Sequence, residues 1–96
     1  MHHDTVLRAA LTGDATKVRE AISTGADVNA WDEHGMTPLL SAVFIGNVDA
    51  VRLLLEAGAD PNRAQRDDPT ATPLWHARED FGLHEIAQLL ERAGAK

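Results

Sequence analysis

Ninety-six residues with a net charge of −6 and 44% hydrophobic side chains suffice for one small domain with a packed interior. The acidic balance argues against nucleic acid, whose phosphates demand a basic surface, and the absence of cysteine excludes disulfides and thiolate chemistry. The opening MHHDTVLRAAL holds no long apolar run and no segment approaches the ~20 residues of a membrane span, so no membrane role is expected.

In chain order, Asp4 to Gly13 predicts a first helix, with Val6, Leu7, Ala9, Ala10 and Leu11 as its apolar positions and Asp4 as its cap. Asp14 opens a second helix in which Val18, Ala21 and Ile22 face inward. His2 and His3 precede both and read either as native or as a remnant of processing or cloning, two histidines being too few to decide, and they are a weak metal signal.

The stretch Asp32 to Ala64 is the most regular. Thr37 before Pro38 marks a helix start twice over, because the hydroxyl can accept from an orphan N–H and proline forfeits an N–H that has no partner there. Leu39, Ala42 and Val43 form one apolar face, and Gly46 breaks the helix. A second helix follows with Val48, Val51, Leu54 and Leu55 on one face, then Gly58 at the left-handed position past its end and Pro61 to stop it. Neither helix is long enough to stand alone in water, so the unit must bury its face against a neighbour.

Copies of it flank it on both sides. Gly25-Ala26-Asp27-Val28-Asn29 precedes Gly58-Ala59-Asp60-Pro61-Asn62 by 33 residues, Thr72-Pro73-Leu74 repeats Thr37-Pro38-Leu39, and Gly94-Ala95 follows Gly58-Ala59 by 36 residues. The third copy carries extra residues in the turn Gln65–Ala71 and at Phe81, and its final helix is expected over Leu83–Ala93 with Glu85, Gln88, Glu91 and Arg92 exposed. A fixed period of this size marks a repeat array. Glu20 replaces the middle copy's Leu53 and Glu91 replaces its Leu55, the polar edits expected where an end repeat faces water. Both ends therefore read as capped, and the chain is expected to be a complete small protein.

The middle copy resembles the ankyrin-repeat family through Asp32, Gly35, Thr37, Pro38, Leu39, Ala42, Gly46, Val51, Leu54, Leu55, Gly58, Ala59, Asp60 and Asn62. The resemblance implies an all-α ankyrin-repeat solenoid of helix-turn-helix units joined by short β-hairpin-like turns. Its expected units are 1–31 (N-terminal cap), 32–64 (full repeat) and 65–96 (C-terminal cap). Where the family favours His after T-P-L the chain has Leu40 and Trp75, so the hydrogen bonds that His gives the neighbouring turn should be absent and Trp75 should be a core residue. Phe81 should fill the gap made by its own insertion.

Ankyrin-like proteins generally bind other proteins through the turn tips and the outward side of the first helices. Carried onto this chain, the contact positions are Trp31, Glu33, His34 and Met36 in the turn and Phe44 and Ile45 on the helix. The residues point the same way: Phe44 and Ile45 follow a filled core stripe, and Trp31 and Met36 flank a polar turn tip with no obvious core to join. Burying such side chains contributes roughly 1.5–3 kcal/mol each. The competing structural reading packs Phe44 on Leu11 and lays Trp31 over the next turn. Asp27, Asn29, Asp60 and Asn62 sit where side chains satisfy turn amides, and Asp67-Asp68 reads as a solvated pair or as a docking charge for a basic partner.

An enzyme is the rival class, but neither a G-x-S-x-G elbow nor an H-E-x-x-H motif is present, and His76 and His84 lack a recognisable ligand spacing. The expected function is a non-catalytic binding protein, without metal or cofactor. It would be cytoplasmic, although an exported effector without a cleaved leader would have the same sequence features. It would mask or tether a protein partner as an inhibitor or adaptor, as a monomer rather than as the alternative homodimer built on the same apolar patch.

Overall fold

Thr37 and Pro38 open the central unit as their chemistry requires. Thr37 is extended, its Oγ1 accepts from the Leu40 N–H at 3.2 Å, and Pro38 is the first helical residue. The computed structural model describes residues 15–25, 27–80 and 82–96. It holds α1 (Ala15–Ser23), α2 (Pro38–Ile45), α3 (Val48–Glu56), a short α4 (Pro73–Trp75) continuing into a π-helical turn (His76–Asp80), and α5 (His84–Arg92). Among the described residues there is no strand, and the turn at 65–68 carries an isolated bridge between Gln65 and Asp68. The helix expected over Asp4–Gly13, the Phe44–Leu11 contact, and the roles given to His2, His3, Asp14 and Phe81 lie outside the described residues.

The core is a row of helices sharing their apolar stripes. On α3, Ala50, Val51 and Leu54 are fully buried, and Val48, Leu53 and Leu55 pack partly against the same cluster. This helix touches α1 on one side and α5 on the other, where Val18 and Ala21, and then Ile86, Ala87 and Leu90, meet it in one core. Each helix is nine residues or fewer, too short to persist without such neighbours. On α2 every side chain from Pro38 to Val43 is buried. It ends at Gly46, whose φ of +78° suits glycine and whose N–H reaches the Ala42 and Val43 carbonyls, both at 3.0 Å.

Asparagines tie the units together along one edge. Asn29 Oδ1 accepts from the Asp60 N–H at 2.6 Å while its Nδ2 donates to the Gly58 carbonyl at 3.2 Å. Asn62 does the same one unit on, accepting from the Lys96 N–H at 2.9 Å and donating to the Gly94 carbonyl at 3.2 Å. Asp27 and Asp60 brace these asparagines, each accepting the N–H two residues on at 2.9 Å.

The third unit departs from the second in ways the sequence only half reveals. Its first helix has one residue more between Thr72 and Gly82 than the middle unit has between Thr37 and Gly46. The π-helical turn at His76–Asp80 absorbs it, as an inserted residue in a helix commonly does. Arg78 stands where the middle unit buries Val43, and it ion-pairs with Glu91, which stands where the middle unit has Leu55. The two polar edits thus satisfy each other.

Trp75 corrects the expectation of a core residue: it is 45% exposed, whereas its counterpart Leu40 is fully buried. The reason is stacking. The Pro73–Asp80 segment lies against α2, but among the described residues no further unit lies against that segment in turn. One residue along, the buried His76 makes a turn contact of a different kind, its Nε2 lying 3.0 Å from Gln65 Oε1 in its own unit's turn rather than the neighbouring one.

Leu54 and Leu90 are equally buried, but α3 is packed on both sides. Leu54→Ala should therefore cost more than Leu90→Ala, within the usual span of about 2–5 kcal/mol for such truncations. Urea unfolding of the two variants checks this, and equal midpoints would contradict the packing described.

Candidate functional site

The turn between Trp31 and Thr37 is organised by one carboxylate. Asp32 is buried, and its Oδ1 accepts from the His34 N–H at 2.8 Å and the Met36 N–H at 2.9 Å. Backbone bonds from Asp32 N–H to the Met36 carbonyl (2.8 Å) and from Gly35 N–H to the Asp32 carbonyl (3.0 Å) close the loop. Gly35 has a φ of +76°, and a Cβ there would come within 3.2 Å of Arg66 Cβ, because the next turn packs directly on it. The result is a rigid tip with Glu33 and His34 pointing into solvent, 3.7 Å apart through Oε1 and Nε2.

Beside the tip, α2 emerges from the core. Phe44 and Ile45 are each 44% exposed. The Phe44 ring meets the His76 ring edge-on at 4.7 Å between centroids, and Trp75 meets the same imidazole from another side at 5.1 Å. Between tip and helix lies an open recess of about 610 Å³. Four of the six expected contact residues line it: Glu33, His34 and Met36 from the tip and Phe44 from α2. Asp32 closes its turn side.

Two further lining residues, Ser41 and Gln65, were not expected. Ser41 had a signal, as the one hydroxyl in the apolar run PLLSAVFI, three residues before Phe44. Gln65 had none; it arrives from the next unit's turn.

Trp31 and Ile45 do not line the recess. Trp31 lies across to the next turn, its Nε1 donating to the Ala64 carbonyl at 2.9 Å and the Arg63 guanidinium stacked 3.7 Å over its ring, with 37% of its surface exposed. Ile45 is exposed at the end of α2, clear of the recess lining.

The paired aspartates are separated by their surroundings. Asp67 lies 3.6 Å from Arg66 Nε. Asp68 Oδ1 accepts from Thr70 Oγ1 at 2.7 Å and from the Thr70 N–H at 3.1 Å, and these bonds, the hydroxyl foremost, hold its carboxyl below the usual carboxylate range. Among the described residues, no three His, Asp or Glu side chains converge as a metal-ligand set, and no helix is long and apolar enough to cross a membrane.

Comparison with known proteins bears on this geometry directly. Residues 6–55 match the family model for ankyrin repeats (many copies). The chain belongs to the ankyrin-repeat family. An ankyrin repeat domain from Acinetobacter baumannii AYE superimposes with a TM-score of 0.87 at 43% identity, over 95% of this chain and 47% of that one. Among curated relatives, the 2-5A-dependent ribonuclease of Mus musculus is 43% identical across 69% of this chain but only 9% of its own length. "Ankyrin repeat, SAM and basic leucine zipper domain-containing protein 1" of Notamacropus eugenii is 36% identical across 93% of this chain and 19% of its own length. The Mitochondrial disaggregase of Bos taurus is 36% identical across 91% of this chain and 12% of its own length. This ankyrin-repeat chain therefore spans less than a fifth of these three curated relatives, and what their names say they do belongs to them. Ankyrin repeats are generally non-catalytic protein-interaction modules.

Because hydrogen bonds lower the Asp68 carboxyl pKa in the folded state, their contribution is present above the ordinary carboxylate range and is lost as pH falls through the depressed folded value. Thr70→Ala should move the titration midpoint of Asp68, read by NMR, upward toward that ordinary range. A midpoint that stays put or falls would contradict the assigned cause.

Proposed function

We propose that this ankyrin-repeat chain is a non-catalytic, monomeric, cytoplasmic binding protein that grips a partner protein through the face formed by the 32–36 turn tip and α2. In this reading the unit 32–64 carries the contacts, and 1–31 and 65–96 serve as capping units. Met36 and Phe44 anchor the partner at the recess, Trp31 and Ile45 extend the apolar surface to either side, and Glu33 and His34 tune specificity from the rim. Binding masks or tethers the partner, as an inhibitor or adaptor does.

One observation carries the proposal. The helix α2 buries every residue from Pro38 to Val43 and then leaves two large apolar side chains nearly half exposed, Phe44 lining a recess of about 610 Å³ and Ile45 next to it in sequence at the helix end. Burial of such side chains by a partner gives a favourable term that water cannot match, and aromatic anchors of this kind carry much of the energy of interfaces. Surplus apolar surface in one place is characteristic of an interaction site. Its position on the turn-and-first-helix face is also where ankyrin-like proteins generally make their contacts.

Pull-down from the native lysate with wild type and with Phe44→Arg tests the reading, after circular dichroism has shown both folded and mass in solution has been measured. Capture by the wild type should fall about tenfold or more in the variant, the size of effect expected at an interface anchor. Equal capture would move the site elsewhere. A wild-type dimer split by the substitution would instead assign the patch to self-association.

A further inference from the structure

The recess contains polar groups that the described fold leaves partly unused. Asp32 is only 8% exposed, and both turn amides bond to its Oδ1; among the described residues no donor reaches Oδ2. Ser41 is 4% exposed, lines the same recess, and has no hydrogen-bond partner for its hydroxyl among the described residues. Among the described residues the buried side-chain atoms without a partner are Asn47 Nδ2 and Arg63 Nε, so Asp32 Oδ2 and Ser41 Oγ are acceptors that solvent reaches in the open recess, where a donor from a partner can take the place of water.

Charge narrows the choice of donor. Glu33 stands beside Asp32 with its side chain 86% exposed, giving the recess a second carboxylate. Among the described residues the nearby cation, Arg66, is engaged elsewhere, donating to the Asp32 backbone carbonyl at 3.4 Å and pairing with Asp67 at 3.6 Å. Among the described residues His34 also stands on the rim, 3.7 Å from Glu33.

We propose that the recess receives an arginine side chain from an apolar-flanked segment of the partner protein. The inference rests on the partner-binding reading above and names what that site recognises. The aliphatic stem lies along Met36 and the guanidinium settles by the Phe44 ring, where one edge of its planar fork reaches Asp32 Oδ2 and another reaches the Glu33 carboxylate. A lysine ammonium has three donors but no planar fork to stack on a ring while bonding carboxylates edge-on, so it fits this arrangement less well. The same molecule already uses such a stack, with Arg63 at 3.7 Å over Trp31. The net charge of −6 attracts a cationic segment at long range and makes its association sensitive to salt.

The test is selection of a random peptide library, displayed on phage, against the folded full chain. Enriched peptides should share one arginine flanked by apolar residues. A synthetic copy should bind roughly tenfold more weakly when that arginine becomes citrulline, which keeps the shape and removes the charge, and also when the chain carries Glu33→Gln. Glu33 is fully outside the core, so loss of folding does not confound that variant; Asp32→Asn, which keeps the turn-closing oxygen, serves as a second. Equal affinity for the lysine version overturns the choice of arginine. Peptides that need Phe44 yet carry no cation, or that bind the citrulline form equally, overturn the inference while leaving the partner-binding face in place. Enrichment indifferent to Phe44→Arg, or none above a blank surface, overturns both.

Discussion

Everything in this chain depends on α3 having company on both sides. Its stripe of Ala50, Val51 and Leu54 is completely buried, and that burial is shared among α1, α2 and α5 rather than made within one helix pair. A nine-residue helix in water is marginal, and the stripe is what makes this one persist. Stability is therefore a property of the stack, each unit existing because the next one covers it. The asparagine bonds at the turns, Asn29 to the 58–60 segment and Asn62 to the 94–96 segment, fix the spacing that lets the stripes meet.

The recess follows from the same stacking. Turn tips held in register by backbone bonds, such as Arg66 N–H to the Gly35 carbonyl at 3.0 Å, project beyond the helices and leave a step between tip and α2. Asp32 makes its tip rigid by spending one oxygen on two amides, so Glu33 and His34 project from a fixed base. A surface held this way loses little conformational freedom when a partner arrives, which is how a small scaffold can bind without rearranging.

Much of this could be read from the residues. Thr37-Pro38 and Thr72-Pro73 announced helix starts because capping is local chemistry, and both threonines do accept the N–H three residues on, at 3.2 and 3.1 Å. Gly46 and Gly58 announced helix ends for the same reason, with φ of +78° and +97°. Local signals fail where the environment is supplied by another unit. Trp75 occupies a position that the middle unit buries, yet it is exposed, because burial there depends on a neighbour and not on the residue. Gln65 enters the recess from the following turn, a contact that no short-range pattern encodes. Likewise Trp31 stood out as a large apolar residue in a polar turn, but its bond to Ala64 lies 33 residues away in sequence.

The central claim is that partners dock on the tip of the 32–36 turn and the exposed end of α2, and amide hydrogen exchange of the chain with and without its captured partner tests it most directly. The amides of His34, Gly35 and Met36 open through the short loop closed by Asp32, so they report on that tip alone. The account predicts that the partner slows exchange at residues 33–36 and leaves the start of α5, His84 to Ile86, unchanged. Slowing at 84–86 with no change at the tip would contradict it.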